Sequence, residues 1–80
     1  MHAEVPLARP SDRLALRHAE AAIACGEEGI LRQRRTIAAV ARAGIDPAFD
    51  EAFLAAMERS LAELNTWRRR LLEQPDAELP

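Results

Sequence analysis

The sequence predicts an all-α fold: a long antiparallel αα-hairpin that dimerises into a four-helix bundle. Three observations carry this expectation. Alanine abounds and the only aromatics are Phe49, Phe53 and Trp67, a composition that favours helix over strand. Large aliphatic residues recur every seven positions at Leu16, Ile23, Ile30 and Ile37, the period of a packed helical seam. A compact break, "AGIDP" at 43–47, separates two stretches of similar length.

Eighty residues make at most one small domain, and a chain this short buries little surface without disulfides, a metal or a partner. With one cysteine, Cys25, it has no intramolecular disulfide framework. An intermolecular bridge stays open, but an unpaired thiol fits a reducing compartment better. The opening "MHAEVPLARP" lacks the basic start and apolar core of a signal peptide, and uninterrupted apolar runs span only a few residues. The expectation is a cytoplasmic protein with no membrane association.

Helix one is expected over 12–43. Pro10 precedes it, Ser11 is placed to cap it, and Asp12 favours its first turn. Beside the aliphatic stripe runs a uniformly small one, Ala15, Ala22, Gly29, Thr36 and Ala43. Two glycines, Gly26 and Gly29, fall three residues apart inside this stretch. Either the helix kinks there, or it stays continuous and offers a hollow that admits a bulky side chain or a neighbouring helix. Continuity is the reading adopted, at a cost of about 1 kcal/mol per glycine relative to alanine.

The turn, 44–46, is the sharpest local signal. Gly44 stands where a helix C-terminus wants a left-handed residue, and Ile45 can fold back on Val40 in a Schellman ending. Asp46 can cap the next helix, with Pro47 at the first helical position, where its missing N–H costs nothing. So short a connection joins antiparallel neighbours.

Helix two is expected over 47–73, stopped by Pro75, with residues 1–10 and 75–80 as disordered tails. Its apolar stripe, from Phe49 through Phe53, Leu54, Met57, Leu61, Leu64 and Trp67 to Leu71 and Leu72, is wider than a two-stranded seam. Reflection about the turn pairs residue i with about 90 − i. This sets Ile37 against Phe53, Gln33 against Met57, Gly26 against Leu64 and Ile23 against Trp67. Gln33 interrupts the apolar seam, either fixing register or snorkelling from a loose layer. One facing helix cannot cover so wide a stripe, so a symmetric dimer is the simplest completion. The residues expected at interfaces are Phe49, Phe53, Trp67, Gly26, Gly29, Ile23 and Ile30.

Chemistry-bearing constellations are sparse. His18 and Cys25 lie seven apart, whereas zinc ligands on one helix want spacings of three or four. Nucleophilic catalysis by Cys25 needs a nearby base, and His18 is about 10 Å along the axis by helical rise. A buried or half-buried small residue is the better reading of Cys25. The adjacent pairs Glu27/Glu28 and Asp50/Glu51 diverge in azimuth and do not converge as an acid and base would. No metal, cofactor or catalytic residue is therefore expected.

All eleven basic residues are arginine, against thirteen acids, for a net charge of −2. Such balance argues against strong nonspecific adhesion to nucleic acid or anionic lipid. Over 12–43 six arginines meet four acids, leaving +2; over 46–74 four arginines meet six acids, leaving −2. The antiparallel register then brings Arg32 near Glu58, and Glu20 near Arg68–Arg70. Arg32, Arg35 and Arg42 remain as candidate phosphate contacts.

The matched positions Gly26, Glu27, Ile30, Gln33, Arg34, Ile37, Gly44, Asp46, Leu54, Glu58, Ser60, Leu61, Arg68 and Leu71 give the chain a pattern over about 22–73. In it the chain resembles small bacterial helical-hairpin proteins with no assigned activity. Ala22 and Trp67 stand where such proteins often carry histidine, and Cys25 where they often carry an acid. The resemblance implies the hairpin fold. The function expected is a non-catalytic interaction or regulatory module that self-associates as a homodimer and binds a protein partner. The alternative is an RNA-binding helical bundle using the arginine face.

Overall fold

The computed structural model describes residues 10–77. Two helices make up the fold, α1 over Pro10–Arg42 and α2 over Ala48–Ala77, packed against each other; no strand occurs among the described residues. The rod measures 65 × 16 × 12 Å along its principal axes, the breadth of two helices side by side in one layer. No described helix is long and apolar enough to cross a membrane.

The turn forms as its residues dictate. Gly44 takes φ of 80°, the left-handed region where a Cβ would strain. The Ile45 N–H donates to the Val40 carbonyl at 3.1 Å and the Gly44 N–H to the Ala41 carbonyl at 3.0 Å, the paired bonds of a Schellman ending. Asp46 Oδ1 accepts from the Ala48 N–H at 3.0 Å, and the Pro47 carbonyl accepts from the Glu51 N–H at 2.8 Å. Asp46 therefore caps α2, with Pro47 at its first position.

The helix ends depart from expectation. α1 begins at Pro10 instead of residue 12, because a proline at the first position gives up only an N–H that has no helical partner anyway. Ser11 thus lies inside the helix. α2 runs past Pro75 to Ala77; the proline removes one helical bond and only two described residues follow it. Residues 75–77 are thus helical, not tail. The expected tails over 1–9 and 78–80 lie outside the described residues.

α1 stays helical through Gly26 and Gly29, and the hollow beside them is filled from within the chain. A Cβ built on Gly26 would meet Leu61 Cδ1 at 3.5 Å, and one on Gly29 would meet Met57 Cε at 3.1 Å. The expected pairings of Gly26 with Leu64 and Gln33 with Met57 are thereby corrected. These contacts pair residues whose numbers sum to 86 or 87 instead of 90. Register was reflected from the turn alone, whereas side-chain fit at the glycines sets the actual axial offset. The most enclosed apolar side chains are Ala19, Ile30 and Leu71, all on the seam.

Candidate interaction surface

At about 100° per residue, each helix divides into azimuths that can be compared directly. The seam of α1 runs through Ala19, Ile23, Gly26, Ile30 and Ile37; that of α2 runs through Met57, Leu61, Leu64 and Leu71. Two long faces flank it.

The first face is held across the helices by polar pairs. Arg34 Nη2 donates to Glu58 Oε2 at 3.0 Å, and Arg68 Nε lies 3.6 Å from Glu20 Oε2. Between them Glu27, Leu31, Ala62 and Asn65 border a shallow groove. The Glu20–Arg68 pairing follows the expected register. The partner of Glu58 is Arg34, not Arg32, because Arg34 sits at the seam edge facing α2. The Arg32 guanidinium instead reaches back along α1, 3.8 Å from where a Gly29 Cβ would sit.

The second face is bordered by charge: Asp50 Oδ1 lies 3.4 Å from Gln33 Nε2, the Arg32 guanidinium lies 3.8 Å from where a Gly29 Cβ would sit, and Trp67 shares a shallow depression with Glu63 and Arg70. On α1 it comprises Ala15, His18, Ala22, Cys25, Gly29, Gln33, Thr36 and Val40; on α2 it comprises Phe49, Phe53, Ala56, Ser60 and Trp67, with Glu63 at its outer margin. Three large aromatics stand out from this face, Phe49 at 82%, Phe53 at 53% and Trp67 at 41% exposure. Gln33 Nε2 donates to the Asp50 backbone carbonyl at 3.0 Å, tying the seam to the first turn of α2. This is a polar clamp whose partner, seventeen residues away, sequence reasoning did not find.

The other expected interface residues take places within the hairpin. Ile30 is 5% exposed and Ile23 half-buried, so neither presents much surface to a second chain. Gly26 and Gly29 meet Leu61 and Met57 of the same chain. Phe53 and Trp67, expected against Ile37 and Ile23, stand mainly outside the seam. Arg32, Arg35 and Arg42 are exposed on the outer side of α1, where Glu28 and Leu31 join Arg32 and Arg35 around a shallow depression. Cys25 is exposed, not buried or half-buried as expected, because it lies about 140° around α1 from Ile30 on the seam at 100° per residue. No group of described residues is arranged to hold a metal ion.

Comparison with protein-family models, with curated proteins and with solved structures gives no match to this chain.

Proposed function

We propose that the hairpin is a non-catalytic helical interaction module, which self-associates as a homodimer in a four-helix bundle and presents the remainder of its surface to a protein partner. The observation that carries this reading is the exposure of the large aromatics Phe49, Phe53 and Trp67. Aromatic side chains bury large areas at low entropic cost and dominate contact energies at interfaces. Leaving three of them in water along one strip disfavours the isolated hairpin, and a second apolar surface relieves that. A cytoplasmic setting fits the single exposed thiol.

Trp67 is the only tryptophan, so its fluorescence reports on this face without labelling. Raising the concentration through the micromolar range is expected to shift its emission to shorter wavelength and protect it from acrylamide. The variant Phe49→Ser/Phe53→Ser is expected to abolish both changes while keeping its helical circular dichroism. An emission maximum independent of concentration, with quenching like that of free indole throughout, contradicts the proposal.

A second reading takes the outer side of α1 as a nucleic-acid contact. Arg32, Arg35 and Arg42 fall within about 80° of one another at 100° per residue and are exposed, which favours phosphate contact. Titrating structured RNA against salt distinguishes the readings. A steep fall in affinity with salt, flattened in Arg32→Ala/Arg35→Ala/Arg42→Ala, supports the arginine face; absence of binding at low salt removes it.

A further inference from the structure

We infer that Arg13, Arg17, Arg35 and Arg42 form one row on the outer side of α1 that takes the phosphate backbone of double-stranded RNA, with the duplex lying lengthwise along the helix. This rests on the second reading above, extends its site to Arg13 and Arg17, and names the form of RNA it takes.

At 100° per residue the four arginines fall within about 40° of one another, and all four are exposed. Their sector lies about 130° round α1 from the seam, so packing against α2 leaves it open. None of the four has a hydrogen bond or ion pair among the described residues. Arg34 and Arg68, by contrast, are engaged by Glu58 and Glu20. Two acids border the sector, Glu28 and the Glu20 that Arg68 engages at 3.6 Å. Arg32 stands about 80° from Arg42 and reaches towards Gly29, so it borders the row instead of joining it. On α2, Arg59, Arg69 and Arg70 are interleaved with Glu51, Glu63 and Glu73, and no comparable row forms. In a chain of net charge −2, a one-sided row of unpaired guanidiniums is a local positive field that a line of phosphates complements.

The length and stiffness of the row select a duplex. α1 is one unbroken helix over Pro10–Arg42, which holds Arg13 and Arg42 about 44 Å apart at ~1.5 Å per residue. By the same rise Arg17 and Arg35 are about 27 Å apart, so the arginines form two pairs at opposite ends of a straight rod. Single strands are bound by stacking their bases on aromatic side chains, and α1 has no Phe, Tyr or Trp. Between the pairs the sector offers only Ala24 and Leu31. A duplex instead holds its phosphates along a stiff axis and is recognised by shape and backbone contact. At roughly 3 Å of axis per base pair, the row spans about 15 base pairs.

Fluorescence anisotropy of the full chain with a labelled RNA duplex of about 20 base pairs, titrated against salt, measures the number of phosphates engaged. Four contacts give a log–log salt slope of about −3.6, at ~0.9 per contact. A hairpin with a stem of about six base pairs, roughly 18 Å long, does not bridge Arg17 and Arg35 and is expected to show about half that slope. Arg13→Gln/Arg17→Gln and Arg35→Gln/Arg42→Gln are each expected to reduce the slope on the long duplex by about 2, with helical circular dichroism unchanged. A slope unmoved by Arg13→Gln/Arg17→Gln overturns the inference and leaves the contact at Arg35 and Arg42 standing. Equal affinity and slope on a single strand of the same length overturn the inference as well, because the duplex form then plays no part. Absence of duplex binding at low salt by folded protein overturns the inference and the second reading together.

Discussion

Gly26 has helical backbone on both sides, so replacing it with alanine tests whether the bare backbone is needed there. The substitution removes the conformational freedom that glycine brings to the unfolded chain, a gain of about 0.8–1.0 kcal/mol in a helix interior. The new methyl would sit 3.5 Å from Leu61 Cδ1, an ordinary van der Waals separation that adds contact without displacing anything. Gly26→Ala is therefore expected to stabilise the protein by about 1 kcal/mol, raising the melting temperature by about 4–8 °C in a domain of this size. Gly29→Ala gains the same propensity but brings its methyl to 3.1 Å from Met57 Cε, so the thioether end must retreat by a few tenths of an ångström. Its net gain is expected to be smaller than that of Gly26→Ala. Thermal unfolding followed by circular dichroism at one fixed protein concentration measures both, since a self-associating protein melts at a concentration-dependent temperature. A fall in melting temperature for Gly26→Ala refutes the reasoning, because it means α2 approaches that backbone more closely than the Leu61 contact indicates.

Two further outcomes follow from the geometry. Gly44→Ala is expected to cost about 1–2 kcal/mol in unfolding experiments, although nothing lies within 4 Å of its added methyl; the penalty is the left-handed φ of 80° alone, and Gly44→Asn is expected to lose less. The Arg34–Glu58 pair, with side chains 57% and 46% exposed, is expected to show a coupling of at most about 1 kcal/mol in a double-mutant cycle, weakening with added salt.

What was legible in the sequence was whatever a few adjacent residues decide. Gly44, Asp46 and Pro47 each demand one backbone conformation, so the turn, the Schellman bonds and the cap could be placed residue by residue. Helix type and continuity through Gly26–Gly29 were likewise readable, because the apolar period runs across the glycines unbroken. The register was less accessible: the fit of Met57 and Leu61 against two bare positions depends on side-chain volumes on both helices, and it moved the pairing by about one turn. The helix ends were misread at Pro10 and Pro75 because proline was weighed as a stop, when its physics is one lost N–H and a local clash. The exposure of Phe49, Phe53 and Trp67 became visible only once that register fixed which azimuth of α2 meets α1. From the sequence alone, Phe53 and Trp67 were as easily assigned to the seam as to the outside. The clamp from Gln33 to Asp50 lay across seventeen residues, where no local rule reaches.

Sedimentation equilibrium on the full chain, across micromolar concentrations, tests most directly whether the exposed aromatic face is an interface. The account predicts a species of twice 8.9 kDa that reverts to single mass in Phe49→Ser/Phe53→Ser. A well-folded species of 8.9 kDa at every concentration, with its helical signal intact, would contradict it.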